Sequence, residues 1–355
     1  MAQFYSLRVA EVLRETPDAV SISFEIPAHL ASEFSYISGQ YLTLKASVAG
    51  EEVRRAYSLC SAPGQDASLR VAVKEVAGGK MSTFLNRNLN AGDTLEVMPP
   101  EGRFYLNHDA SLARRYVLIA GGSGITPMMS ILRSALQAEP QASFLLLYAN
   151  RNQESIIFES TLNALVQHHG ARLEVRHYLD SGAQGTYQAG PLNAEVLSTA
   201  LNRESWTENT HAFICGPGPM MEQAKQSLLS AGLAAERIYI EYFSAPVAAE
   251  KSAPAMEATS APAEGSKVII TLYGETTEVL IKDNTTILKA ATKAGLDAPF
   301  SCEAGICSTC MAKITEGSAR MDENNILSAD EVKQGYVLTC QSHPTSPVVR
   351  LEYLD

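Results

Sequence analysis

A chain of 355 residues exceeds one ordinary core and suits two or three domains of roughly 100 to 150 residues each. Its net charge of −11 argues against nucleic acid or an anionic membrane as partner, since either would call for a basic surface. No run of about 18 apolar residues is present, and the start MAQFYSLRVAEVLRE lacks a signal or transit pattern, so the expected compartment is the cytoplasm. Thiols stay reduced there, and clustered cysteines point to metal or redox ligands before disulfides.

Residues 1–108 carry short alternating runs, VSISFEI, QYLTLKA and LRVAVKEV, broken by Gly, Pro and Asp, which predict an antiparallel β-barrel. Over 109–244 the pattern changes to apolar strands (YVLIA, SFLLLYA, HAFIC, RIYIEYF) alternating with helical stretches, the signature of a parallel α/β sheet. Residues 245–266, rich in Ala, Pro, Ser and Glu without apolar periodicity, read as a flexible linker. The remaining 267–355 predict a compact α+β unit: strands at KVIITLY and TEVLI, a helix around Ile287 to Ala294, a cysteine loop and two last strands. There is no internal repeat.

In YVLIAGGSGITPMMSILRSALQ a strand runs into Gly121, Gly122 and Gly124 and then directly into a helix. Small residues there admit phosphates to the backbone, and the helix start offers oriented N–H groups. Thr126 is expected as N-cap, with Pro127 at the first helical position. Pro127 stands where a dinucleotide fingerprint has its third Gly or Ala. The next strand ends in Asn150 and Arg151, where an acid would select NAD and an arginine the 2′-phosphate of NADP. Arg151 is thus either a phosphate contact or a solvated loop residue. HAFIC delivers Cys215 to a strand end before Gly216-Pro217-Gly218-Pro219, where its thiol either meets the nicotinamide or is a small buried apolar group.

The last unit holds Cys302, Cys307, Cys310 and, 30 positions later, Cys340. This C-x4-C-x2-C…C spacing is that of plant-type [2Fe-2S] ligation: three thiolates on a tight loop wrap one side of the cluster and a distant fourth closes it. Zinc would favour two C-x2-C pairs, and only one is present. The segment resembles a plant-type ferredoxin (β-grasp) domain.

A nicotinamide gives two electrons as hydride and such a cluster takes one at a time, so a flavin is expected between them. In Arg54-Arg55-Ala56-Tyr57-Ser58-Leu59, strand alternation puts Arg55 and Tyr57 on one face, a cation for phosphate beside an aromatic plate. In the second stretch, Gly78 and Gly79 precede Ser82 at an expected helix start, again an anion site.

R-x-Y-S, G-G-x-x-S, G-G-x-G-I-T-P, C-G-P and Glu241-x-Phe243, in this order, resemble the ferredoxin-NADP reductase superfamily. With the C-terminal ferredoxin the order is similar to reductase components of multicomponent oxygenases. RRAYSLCSAP, VAVKEVAGGKMSTFLN, YANRNQESIIF and GYVLTCQ most resemble reductase subunits of phenylacetyl-CoA epoxidases. The resemblance implies FAD held by Arg55, Tyr57, Ser58, Val73, Gly79, Lys80, Met81 and Ser82. It implies NADPH at Gly122, Ser123, Gly124, Thr126, Arg151, Cys215 and Gly216, with Phe243 against the flavin and Ser58, Cys215 and Glu241 at the reacting centre. Electrons would pass from NADPH through FAD and the cluster to the oxygenase subunits of a multicomponent, di-iron monooxygenase. Residues 267–355 carry 8 Lys/Arg against 12 Asp/Glu, so a basic docking face is expected on that partner. Other readings are a reductase for a ring-hydroxylating dioxygenase, a steroid hydroxylase or a hybrid-cluster protein, or an iron–sulfur redox sensor.

Overall fold

The structure, a computed structural model, describes residues 3–201, 206–243 and 265–353. It divides into two compact units, Phe4–Phe243 and a C-terminal unit beginning at Ser244. The expected linker lies, up to residue 264, outside the described residues.

In the first unit, β1 (Tyr5–Thr16), β2 (Ala19–Glu25), β3 (Tyr41–Val48), β4 (Glu51–Ser58), β5 (Leu69–Lys74) and β6 (Thr94–Val97) form an antiparallel sheet in the order β4-β3-β6-β1-β2-β5. A bridge between Leu59 and Val71 joins its two edges and closes the barrel. Alternate residues such as Leu7, Val9, Ile22, Leu42 and Leu44 fill the interior. The β3–β4 hairpin turns on Ala49 and Gly50 at φ 54° and 80°, the left-handed pair that a two-residue turn requires. Helix α1 (Lys80–Arg87) packs Met81 and Leu85 into the barrel core.

The parallel sheet comprises β7 (Arg115–Gly121), β8 (Ser143–Asn150), β9 (Leu173–Leu179), β10 (Gln188–Ala189), β11 (Thr210–Cys215) and β12 (Ile238–Glu241), interleaved with α2 (Ile125–Ala138), α3 (Glu159–His169), α4 (Ala194–Leu201) and α5 (Gly218–Ser230). Its strands are apolar on both faces because helices cover both. Tyr116, Leu118, Leu146 and Phe213 meet α2 and α3, while Val117, Ile119, Leu145 and Ile214 meet α4 and α5. The order β10-β9-β8-β7-β11-β12 reverses direction between β7 and β11. A parallel sheet opens a crevice at the carboxyl ends of its strands where the order reverses, and both glycine-rich turns lie there.

The C-terminal unit has β13 (Ser266–Leu272), β14 (Glu275–Ile281), α6 (Ile287–Lys293), β15 (Met311–Glu316), β16 (Ala319–Met321), α7 (Ala329–Lys333), β17 (Tyr336–Leu338), β18 (Ser342–Pro344) and β19 (Val348–Tyr353). Five strands order as β14-β13-β19-β15-β17, with β13 and β19 parallel, and β16 pairs with β18. Ile287, Leu288 and Ala291 of α6 pack on Val268, Ile270 and Leu351, giving the expected grasp of one helix by a mixed sheet.

Candidate functional site

The two glycine turns of the crevice are pressed together. A Cβ at Gly124 would lie 2.1 Å from the Cys215 carbonyl oxygen, and one at Gly121 would lie 2.5 Å from Pro217 Cδ. Only glycine permits this approach. Gly122 takes φ 53°, and a short 3-10 turn over Gly122–Gly124 leads into α2. The helix therefore starts earlier than expected and Thr126 is not its N-cap: Gly124 is, and the Thr126 hydroxyl donates back to the Ser123 carbonyl at 3.0 Å. Gly122 and Ser123 retain exposed surface at the strand end, while Thr126 is buried. Gly216 lies next to Cys215, opposite Gly121.

Ser58, Cys215 and Glu241 come together across the barrel and the parallel sheet. Cys215 and Glu241 are register partners on β11 and β12. The Ser58 hydroxyl donates to Glu241 Oε2 at 2.8 Å. Burial pushes the Glu241 carboxyl up to about 8, against the lowering effect of the Ser58 hydrogen bond. Cys215 has no exposed surface and lies in the apolar cluster of Phe213 and Tyr116. Burial, then the neighbouring Glu241 charge, raises its pKa and keeps it protonated. Phe243 follows β12 with 42% of its surface exposed.

Glu241 gives a pH prediction whose sign is fixed by its raised pKa. The folded state favours the neutral acid, so this stabilising contribution is complete below the ordinary carboxylate value of 4.5 and is lost as pH rises toward about 8, at up to about 1.4 kcal/mol per pH unit. Glu241→Gln keeps a neutral acceptor for Ser58. Thermal unfolding should find the variant equal to the parent at pH 5 and more stable at pH 9; parallel curves would remove the buried acid.

Around the barrel, Arg55 is exposed, donates to the Arg54 carbonyl at 2.6 Å and has no carboxylate partner among the described residues. Tyr57 is half-buried two positions on, along the same strand face. An open groove of about 550 Å³ is lined by Ser47, Val48, Gly78, Gly79, Lys80 and Thr83. Ser82 Oγ accepts from Val76 N at 3.1 Å and donates to the Gly79 carbonyl at 3.2 Å, tying the glycine loop to α1. Lys80 pairs with Glu51. An exposed guanidinium without a described carboxylate partner, an aromatic ring and a glycine-led helix start are groups that fit a flavin diphosphate. Val73 and Met81 do not belong to it by their side chains: both are buried in the barrel core, and Asn86 Nδ2 donates to the Val73 carbonyl at 3.1 Å. Strand and helix periodicity turns these two inward. A second groove of about 550 Å³ between α4 and α5 is lined by neither a cation nor an aromatic ring and lies away from this chemistry.

Two charged residues at the crevice were not legible as site residues. Lys74 Nζ lies 3.7 Å from a Cβ placed on Gly122, and Asp18 pairs with Arg151. Their separation along the chain leaves no local signal.

In the C-terminal unit, the loop carrying Cys302, Cys307 and Cys310 bends through Glu303 and Gly305, at φ 52° and 70°. A Cβ at Gly305 would meet the Glu323 carbonyl oxygen at 2.8 Å. Thr339 N and Oγ1 both donate to the Cys310 carbonyl, at 3.1 and 3.0 Å, which fixes Cys340 beside Cys310. Gln341 Nε2 reaches the Glu303 carbonyl at 2.9 Å and closes the loop from the other side. The thiols contact in pairs, Cys302 with Cys307 and Cys310 with Cys340, and those contacts lower the pKa of Cys302 and Cys340 and raise that of their partners. Among the described residues no three ligating side chains converge on one point. Two pairs suit a two-iron cluster better than a single tetrahedral zinc. Cys60 takes no part: it is buried, donates to the Arg70 carbonyl at 3.3 Å, and burial pushes its thiol up to about 12.

A closed antiparallel barrel, a parallel sheet with paired glycine turns and a four-cysteine grasp domain define an electron-transferring flavoprotein reductase. Three families match in that order: "Oxidoreductase FAD-binding domain" over residues 6–105, "Oxidoreductase NAD-binding domain" over 118–226 and "2Fe-2S iron-sulfur cluster binding domain" over 270–345. The chain is 38% identical to one of the subunits of the 1,2-phenylacetyl-CoA epoxidase of Escherichia coli (strain K12), over 98% of both chains. It is also 38% identical to the ferredoxin reductase component of 3-ketosteroid-9-alpha-monooxygenase of Mycolicibacterium smegmatis, over 98% of this chain and 96% of the other. Phthalate dioxygenase reductase superposes with a TM-score of 0.61 at 26% identity, over 99% of this chain and 98% of that one. The chain belongs to the family of three-domain oxygenase reductase components. It is an oxidoreductase that uses FAD, a [2Fe-2S] cluster and a pyridine nucleotide.

Proposed function

We propose that this reductase draws electrons from NADPH and delivers them, in the cytoplasm, to the di-iron oxygenase subunits of a phenylacetyl-CoA epoxidase. The observation that carries the partner is the near-full-length agreement with the Escherichia coli epoxidase component. The cytoplasmic reading is supported by the reduced thiols that the cluster's ligand set requires.

When bound, FAD supplies the conversion between a two-electron hydride donor and a one-electron carrier. The chain's own residues position and shield. Arg55 neutralises diphosphate charge, and Tyr57 gives the ring a flat apolar neighbour. Gly79 and Ser82 shape the loop at the start of α1. Gly122, Ser123 and Gly124 offer backbone N–H groups to the nucleotide diphosphate, with Gly216 close behind. Ser58 and Glu241 form a neutral hydrogen-bonded pair at the junction, over the buried Cys215, so no charge opposes a neutral nicotinamide there. Phe243 covers the flavin side of that junction. Cys302, Cys307, Cys310 and Cys340 hold the cluster.

Arg151 sets the coenzyme. Arg151→Ala should weaken NADPH binding about 10-fold while NADH changes less than about 2-fold, as expected for losing a charged phosphate contact. Equal weakening of both would remove that role. For the partner, the holoprotein is combined with phenylacetyl-CoA epoxidase catalytic subunits and NADPH- and oxygen-dependent loss of phenylacetyl-CoA is followed, with an artificial acceptor as control. Turnover supports the pairing, and failure with a healthy control redirects it. The equal identity to the ketosteroid reductase makes 3-ketosteroid-9-alpha-monooxygenase the second reading, tested by the same exchange of oxygenase.

A further inference from the structure

Strand β8 ends at Asn150, and Arg151 follows with no acid beside it in sequence, yet folding brings one there. Arg151 Nη2 lies 2.5 Å from Asp18 Oδ2, a residue 133 positions earlier. Asp18 sits in the turn between β1 and β2, and it is held. Thr16 Oγ1 donates to its Oδ1 at 2.9 Å, and its carbonyl accepts from Glu75 N at 2.7 Å. Lys74 Nζ stands 3.8 Å from the same Oδ2 and reaches toward Gly122. Three charges of alternating sign therefore run from the carboxyl end of β8 to the glycine turn after β7. The Arg151 side chain is 65% exposed, whereas Asp18, at 31%, is anchored by its turn.

We propose that Asp18 is a coenzyme-discriminating residue, a built-in competitor for Arg151 that disfavours a 2′-phosphate and tolerates a ribose hydroxyl. The inference rests on the reading of Arg151 as the phosphate contact. A 2′-phosphate must displace the carboxylate from Arg151 and then sit near a negative charge that Thr16 prevents from turning away. NADH meets neither obstacle, and its 2′-hydroxyl finds a carboxylate acceptor, the arrangement that favours NAD. The preference for NADPH is thus set lower than Arg151 alone would set it. The opposite role, Asp18 as a brace that aims Arg151, predicts an effect of opposite sign.

The test is Asp18→Asn, which keeps an acceptor for Thr16. Dissociation constants of NADP+ and NAD+ are measured by calorimetric titration of oxidised holoprotein, without turnover. NADP+ should bind about 3- to 10-fold tighter, the scale of releasing a partly exposed ion pair and removing a nearby like charge, while NAD+ changes less than about 2-fold. In an Arg151→Ala background the part of the gain that comes from releasing the ion pair should disappear, leaving only the smaller gain from removing a nearby like charge. NADP+ binding unchanged, weakened, or tightened in step with NAD+ overturns the proposal. If Arg151→Ala alone lowers both affinities alike, the phosphate contact itself has failed and takes this role with it. If that variant is selective and Asp18→Asn is flat, only the role of Asp18 falls.

Discussion

In holoprotein carrying Cys310→Ala, the visible bands of the iron–sulfur cluster are expected to vanish while those of the flavin remain. Cys310 has 1% of its surface exposed, contacts Cys340, and has its carbonyl bound twice by Thr339, so no other described thiol can take its place. Even outer-shell partners of a metal site cost 10- to 100-fold when removed, and loss of a ligand should lower electron delivery to the oxygenase by more than about 100-fold. Reduction of ferricyanide, which can accept electrons at the flavin, should stay within about 2-fold. Metal binding contributes folding energy to such domains, so the grasp unit of the variant should also melt earlier. Unchanged cluster bands would mean that the ligand assignment is wrong.

Gly124→Ala should have the largest effect on the first unit. Gly124 takes φ −61°, a conformation that alanine adopts freely, so the substitution tests the contact and not the backbone. The added Cβ would stand 2.1 Å from the Cys215 carbonyl oxygen and 2.5 Å from its carbon, atoms that a rotamer change cannot move. Overpacking of this kind costs about 1–3 kcal/mol, which for a unit of this size lowers Tm by about 2–12 °C. The glycine turns must also part, so pyridine-nucleotide affinity should fall by more than about 10-fold while FAD content is kept. Calorimetric melting and a nucleotide titration read both effects. A Tm and an affinity equal to the parent's would show that the turns are not pressed together.

The features legible in the sequence are those whose cause is local. Buried parallel strands must be apolar on both faces, so YVLIA, SFLLLYA and HAFIC stand out as β7, β8 and β11. Spacing on one loop brings Cys302, Cys307 and Cys310 together, and composition marks the seam after Phe243. Boundaries are less legible. RIYIEYF ends as a strand at Glu241, and α2 begins before Thr126 because Gly122 and the 3-10 turn start the coil early. Val73 and Met81 stand in stretches that resemble flavin contacts, but barrel packing turns their side chains inward. Least legible is everything that depends on closure: the bond between Ser58 and Glu241, the two-by-two pairing of the thiols and the meeting of Asp18 with Arg151 join segments that nothing local connects.

The relay itself is tested most directly by adding NADPH anaerobically to the holoprotein and following flavin absorbance together with the electron paramagnetic resonance of the cluster. The flavin is expected to bleach and the cluster signal then to rise, and in Cys310→Ala only the bleaching should remain. A bleached flavin beside a cluster that stays oxidised in the parent protein, with its oxygenase partner present, would contradict the relay.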